Sequence, residues 1–244
     1  MTRILVPVSG GKDSQACLKL AVAEFGSDVV EGLFCDTKFE HPKTYNHVTW
    51  MGLLYGVKIH VVSAGSVEEK VLKHERFPDF RSRHCTDELK LRPTRDFLHD
   101  YALWGGDVEV WYGMRSAESR QRSQRYSGKN SRMLYPPHEV LPKKYPQYLG
   151  RMGVRFRLRV LDMSDDDIFE LLDGEENPLY DEGFDRVGCF PCLASGKKWK
   201  DKAFDHDDFG RSQRKVIRIL EEKINKSVYD GSPVCYEGCD MCAM

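Results

Sequence analysis

Residues 9–14 read Ser-Gly-Gly-Lys-Asp-Ser. They follow an apolar run, residues 4–8, and open a stretch, 13–25, with Ala16, Leu20 and Ala23 at helical spacing. A strand that turns this tightly into a helix constrains the whole fold. Its short, unbroken apolar run suits a strand buried on both faces of a parallel sheet. Gly10 and Gly11 let the backbone bend so that its N–H groups aim at one anion. The helix N-terminus adds partial positive charge, and Lys12 adds a full one. Ser9 and Ser14 can donate hydroxyl hydrogen bonds to phosphate oxygens. The spacing is not that of a Walker A loop, which has four residues between its first glycine and Gly-Lys.

The alternation continues. Residues 29–35, 58–63 and 108–113 read as further strands, and 13–25, 43–55 and 86–104 as helices, the last kinked or split at Pro93. This pattern predicts an α/β fold, a mostly parallel twisted sheet of about five strands with helices on both faces. With 244 residues and 41% hydrophobic content there is material for one large core, which excludes wholesale disorder. No apolar run reaches the roughly 18 residues of a membrane span, and the N-terminal apolar stretch is too short for a secretory signal, so a cytoplasmic protein is expected.

The second half is polarised in charge. Residues 115–159 carry twelve Lys/Arg against two acidic residues, with four prolines, and read as an irregular basic excursion. Residues 162–185 carry eleven acidic residues and no Lys or Arg. Within them Ser164 can cap a short helix running to Leu172, with Asp165, Asp166 and Asp167 in its first turn. Residues 197–225 read as mostly helical with a break at Gly210. The chain is divided as 1–192, a nucleotide-binding α/β unit ending in Cys-x-x-Cys, and 193–244, a helical extension that is not independent.

Ser-Gly-Gly-Lys-Asp-Ser after an N-terminal strand resembles the PP-loop of the adenine nucleotide alpha-hydrolase superfamily. Four further segments resemble the phosphoadenylylsulfate (PAPS) reductase family. Cys35-Asp36-Thr37 ends the second predicted strand. Cys85-Thr86-Asp87-Glu88-Leu89-Lys90 with Pro93 is similar to that family's Cys-Thr-x-x-Leu-Lys-x-x-Pro. Gly113-Met114-Arg115-Ser116-Ala117-Glu118-Ser119 with Arg122 is similar to its Gly-x-Arg-x-x-Glu-Ser-x-x-Arg. Asn177-Pro178-Leu179-Tyr180, Gly183 and Gly188-Cys189-Phe190-Pro191-Cys192 are similar to its Asn-Pro-Leu-Tyr…Gly-Cys-x-x-Cys. These matches run in order from residue 4 to about residue 192.

The resemblance implies that Ser9, Gly10, Gly11, Lys12, Asp13 and Ser14 cradle the β and γ phosphates of ATP, with Mg²⁺ neutralising the leaving group. Asp36, Thr37 and Gly113 fall where the family places residues near the nucleotide. Asp36 reads equally as a ribose or Mg²⁺ ligand or as an ordinary loop aspartate. Arg115 and Arg122 offer planar forks for phosphate or sulfate, and Glu118 can orient Arg115 through an ion pair. The resemblance also implies that Cys85 lies near Cys189 and Cys192. Three readings of these thiols stay open: ligands of a [4Fe–4S] cluster, a metal-free thiol pair, or a zinc site. Cys17 and Cys35 read as core thiols. Cys235, Cys239 and Cys242 crowd the last ten residues as a mobile sulfur carrier, a further ligand source or a frayed tail.

His84-Cys85 stands where adenylylsulfate-preferring reductases of this family carry Cys-Cys, and single-cysteine variants of this kind resemble the ATP-pyrophosphatase component of DNA phosphorothioation systems and some tRNA thiolation enzymes. That resemblance implies ATP cleavage to AMP and pyrophosphate, sulfur incorporation, a cysteine desulfurase as donor partner and DNA bound through residues 115–159. The alternatives are a thioredoxin-dependent PAPS or adenylylsulfate reductase and a non-catalytic nucleotide-sensing subunit. The tail carries Glu237-Gly238-Cys239 where the reductases carry Glu-Cys-Gly-Ile-His, which counts against simple reduction.

Overall fold

The structure, a computed structural model, describes residues 2–234. The three tail cysteines lie outside the described residues. In chain order the first elements are β1 (Arg3–Val8), α1 (Lys12–Phe25), β2 (Val30–Asp36), α2 (Pro42–Leu54), β3 (Lys58–Ser63) and α3 (Val67–His74). Next, α4 (His84–Thr86), a π-turn (Asp87–Leu91) and α5 (Arg92–Gly105) run consecutively and lead to β4 (Val108–Trp111). A 3₁₀ turn (Ser116–Glu118), α6 (Arg120–Tyr126), β5 (Leu134–Tyr135), α7 (Pro137–Val140), α8 (Gln147–Arg151) and β6 (Val154–Arg157) follow. The described chain ends with α9 (Asp165–Leu172), α10 (Lys197–His206) and α11 (Asp208–Ile224).

The sheet has six strands in the order β3-β2-β1-β4-β6-β5. All neighbours pair in parallel except β5, which is antiparallel to β6. Side chains of a strand alternate between faces. Ile4, Val6 and Val8 accordingly enter one core with α1, α2 and α9, while Leu5 enters the other with α5, α8 and β6. Helices on both faces follow directly from that alternation in β1.

Two expectations need correction. Residues 115–159 are not irregular: they supply β5 and β6, which bring the sheet to six strands. Val154 and Phe156 are buried there and the intervening arginines are not, a period-two signal hidden among prolines and charges. The break expected at Pro93 is present: the π-turn ends at Leu91 and α5 begins at Arg92, which puts Pro93 in the first turn of α5, where a missing N–H is tolerated. Secondly, Gly210 does not break the last helix. The break is at Asp207, whose carboxylate caps α11 by accepting the Gly210 N–H at 2.8 Å. Gly210 packs its bare Cα against the Ala203 carbonyl, where a Cβ would not fit.

Among the described residues no helix is long and apolar enough to cross a membrane. A third cluster unites Phe39, Val67, Val71 and Leu89 with Phe204, Ile217 and Leu220, so α10 and α11 share a core with the loop after β2, with α3 and with the π-turn.

The strand order reverses direction at β1. After β1 the chain moves toward β2, and the strand on its other side is β4. Ligands of open α/β sheets gather at such a switch, outside the strands' carboxyl ends. The loop at residues 9–12 and the segment after Trp111 both lie there.

Candidate active site

The loop after β1 is internally braced. Gly10 adopts φ +74°, a conformation that costs glycine little, and a Cβ there would also meet Thr44 Cγ2 at 2.6 Å. The Ser9 N–H donates to Ser14 Oγ at 3.1 Å, and the Ser14 hydroxyl donates to the Gly11 carbonyl at 2.9 Å. A second segment presses on the loop from outside. Asn177 Nδ2 donates to the Gly10 carbonyl at 3.2 Å, and the Lys12 N–H donates to the Tyr180 hydroxyl at 3.0 Å. Asn177 and Tyr180 thus act as a clasp on the loop.

Lys12 and Arg115 are buried cations facing one carboxylate. Lys12 Nζ and Arg115 Nη2 both contact Asp165 Oδ1, at 2.8 and 2.6 Å. Arg115 Nε also pairs with Asp13 at 2.7 Å, and its Nη1 donates to the Met163 carbonyl at 3.3 Å. The hydrogen bond and charge of Lys12, with Arg115, hold the Asp165 carboxyl below its usual range although burial opposes this. Glu118 does not orient Arg115, as the spacing suggests. It forms an ion pair with Arg122 across the extended Ser119 that separates the 3₁₀ turn from α6. Burial and the like charges of Arg186 and Arg83 lower the Arg122 pKa.

At the carboxyl end of β2 lies a second cluster. Asp36 accepts the Lys38 N–H and the Tyr45 hydroxyl, each at 2.8 Å. Thr37 is buried and donates its hydroxyl to Glu40 Oε1 at 2.7 Å. Glu40, 2% exposed, also accepts the N–H groups of Thr37 and Phe39 and the Tyr45 hydroxyl. The Cys189 thiol donates to Glu40 Oε1 at 3.7 Å and stands 3.5 Å from Thr37 Oγ1. Lys90 Nζ lies 3.9 Å from Glu40 Oε1.

These charges set the thiol. Burial pushes Cys189 up to about 11, with Lys90 pulling down and Glu40 pushing up. Burial works against the Lys90 ammonium, but Cys189, Glu40 and Cys35 outweigh it and hold its pKa above the usual range. Cys85 is raised by burial and then by the charge of Cys192. Cys17 is a core thiol, as expected. Cys35 is not simply one: its sulfur lies 3.3 Å from Thr94 Oγ1 and 3.6 Å from the Lys90 carbonyl, beside the Glu40 cluster.

The donor set decides whether a metal fits. Among the described residues no three His, Cys, Asp or Glu side chains converge on one metal position. Cys189 is turned toward a carboxylate, a poor neighbour for a metal-bound thiolate. Asp13 and Asp165 are engaged by cations rather than open to Mg²⁺, which prefers oxygen ligands and retained water. The described residues as placed do not fit a zinc centre, a cluster or a protein-built magnesium site.

Sequence reasoning missed Asp165 and Glu40 as site residues and assigned no role to Lys90, Asn177 or Tyr180. Asp165 was legible only as a helix-start acid, since nothing local ties it to Lys12, 153 positions away. Glu40 carried no spacing signal.

Residues 3–195 match the family model of the phosphoadenosine phosphosulfate reductase domain. An uncharacterized protein of Methanocaldococcus jannaschii is 29% identical over 191 residues, covering 78% of this chain and 36% of that protein. The chain thus spans about a third of that relative's length. An uncharacterized 37.8 kDa protein of Escherichia phage 186 is 28% identical over 268 residues, covering 89% of this chain and 73% of that protein. The chain also resembles the crystal structure of phosphoadenylyl-sulfate reductase from Candida auris in its phosphate complex. The TM-score is 0.50 at 14% identity, covering 77% of this chain and 81% of that one. At that identity the likeness is one of fold.

Proposed function

The chain belongs to the phosphoadenosine phosphosulfate reductase domain family, and from that premise we propose that it is an ATP pyrophosphatase that activates an oxygen for replacement by sulfur. The observation that carries this reading is a juxtaposition across two neighbouring parallel strands. The phosphate loop ends β1, and Thr37, directly after β2, lies 3.5 Å from the Cys189 sulfur. An anion cradle and a thiol on adjacent strand ends suit a nucleotide activation coupled to sulfur chemistry.

ATP, as its Mg²⁺ complex, is the substrate. The N–H groups of Gly10 and Gly11 and the Lys12 ammonium take the β and γ phosphates. Arg115 stands beside Lys12 at these phosphates, and Arg122 holds the reacting phosphate. The acceptor oxygen attacks the α-phosphorus, the α–β bridging P–O bond breaks and pyrophosphate leaves. A sulfur nucleophile then displaces AMP from the adenylylated acceptor. Cys189 takes that sulfur from a cysteine desulfurase, the donor partner, as a persulfide whose terminal sulfur is the nucleophile. Cys192 then attacks the resulting acceptor–S–S–Cys189 bond, releasing the thiolated acceptor and leaving a Cys189–Cys192 disulfide that an external dithiol reduces. DNA is the acceptor, a non-bridging phosphate oxygen being replaced. The basic residues of segment 115–159 favour a polyanion there.

Product analysis tests this directly. The anaerobically purified chain is incubated with Mg²⁺ and ATP, with and without DNA. AMP and pyrophosphate are expected, with yield raised by DNA. The family's own name supports a second reading, reduction of PAPS. Sulfite released from PAPS with thioredoxin, and no turnover of ATP, would establish that reading and overturn the first.

A further inference from the structure

Lys12 and Arg115 share a single oxygen, Asp165 Oδ1, at 2.8 and 2.6 Å. Two cations on one anionic oxygen is the arrangement a terminal phosphate oxygen would require of them. The partners differ in freedom. The Lys12 and Arg115 side chains are 7% and 3% exposed, whereas that of Asp165 is 62% exposed. Lys12 Nζ also lies beside the rings of Phe169 and Tyr180, 5.4 and 5.3 Å from their centroids. Arg115 keeps Asp13 and the Met163 carbonyl whatever Asp165 does.

The helix that carries Asp165 is fixed. Ser164 and Asp167 form a reciprocal capping box at its start, and Ile168 and Leu172 bury in the core shared with α1. Only the short carboxylate arm has room to rotate away. Its departure frees one guanidinium N–H and the ammonium together, two donors aimed at one place.

We propose that Asp165 is a specificity-determining residue of the nucleotide site, a built-in carboxylate that competes with pyrophosphoryl groups for Lys12 and Arg115. The inference rests on the ATP-cleaving reading above. ATP and pyrophosphate carry phosphates that reach Lys12 and displace the carboxylate. AMP has no phosphate beyond the α position, leaves the Asp165 contacts in place and gains nothing from their loss. After cleavage the carboxylate returns to Lys12 and assists pyrophosphate departure.

Binding isothermally titrated on the full chain tests this, with ATP, inorganic pyrophosphate and AMP as probes. Asp165→Asn keeps the shape and removes the competing charge. It is expected to tighten ATP and pyrophosphate by about 5-fold, a modest factor because the carboxylate is largely exposed, while AMP changes by less than about 2-fold. Asp166→Asn makes the same charge change one residue away on an exposed position, and is expected to move no probe beyond about 2-fold. If Asp165→Asn melts out, Asp165→Ser carries the same test. Weaker pyrophosphate binding in the variant would show that Asp165 positions the cations rather than competing. Unchanged binding, or equal tightening by Asp166→Asn, would also overturn the proposal. Lys12→Ala separates this from the reading beneath it. Pyrophosphate binding lost in Lys12→Ala but unmoved in Asp165→Asn leaves the nucleotide reading standing and sinks the inference. No binding of ATP or pyrophosphate by any form sinks both.

Discussion

Gly113 packs directly on the backbone of Asp13: a Cβ at Gly113 would lie 2.8 Å from the Asp13 carbonyl carbon and oxygen. The segment after β4 therefore rests on the first turn of α1, and the two strand ends that build the site are in contact. Backbone cannot swing aside as a side chain can. Gly113→Ala is expected to lower stability by about 2 kcal/mol, the usual range for overpacking. It should also weaken nucleotide binding by shifting Asp13 and Arg115 apart. Thermal melting and ATP titration of one sample read both.

Lys12→Ala should abolish formation of AMP and pyrophosphate. Its ammonium contacts Asp165 and two aromatic rings at the site and anchors no distant element. Circular dichroism should thus stay near the parent's. Retained ATP cleavage would remove the loop from the catalytic assignment.

Cys189 reactivity should respond oppositely to its two charged neighbours. Its thiol is pushed up to about 11, first by burial, with Lys90 lowering and Glu40 raising it. Glu40→Gln removes a charge that disfavours the thiolate, so alkylation by iodoacetamide at pH 8 should accelerate, by about 3- to 10-fold. Lys90→Met should slow it. Peptide mass spectrometry at Cys189 across pH 7–10 gives the profile. Slowing by both variants would mean that Glu40 acts as a proton acceptor instead.

Stability should have an acid limb set by His47. Its Nε2–H donates to Gln15 Oε1 at 2.8 Å, since the Gln15 amide nitrogen is already donating to the Glu175 carbonyl. Burial lowers the His47 pKa from 6.5 to about 4. The fold thus favours the neutral ring. Its contribution is complete above the unfolded value and is lost as pH falls from 6.5 toward 4. The loss is on the order of 2–3 kcal/mol. Urea midpoints at several pH values should show that slope, and His47→Gln should flatten it.

Phe204 joins α10 to the cluster of Phe39, Val71 and Leu89. Phe204→Ala should cost about 3–5 kcal/mol. A single cooperative melt that shifts as a whole is expected. A separate early transition would show that the C-terminal helices unfold on their own.

Much of the fold is local and was readable as such. The run Ile4 to Val8, the turn at Gly10 and the periodicity of α1 are properties of contiguous residues, and they require a parallel strand feeding a helix. The Ser164 cap was readable for the same reason, because a capping box is complete within four residues. β5 and β6 were not. Each is short, and what stabilises them is pairing with one another and with β4, which no local pattern records.

The site divides along the same line. The residue types for anion binding and thiol chemistry were evident from Ser9 to Ser14, from Arg115 and Arg122 and from Cys189 and Cys192, because glycine, lysine, arginine and cysteine carry their chemistry wherever they stand. Which charge faces which was decided by the sheet. Bringing the ends of β1, β2 and β4 side by side sets Asp165 between Lys12 and Arg115 and places Glu40 against Cys189. Ion pairs act through distances of a few ångströms, and only the packed chain brings residues 150 positions apart within that reach.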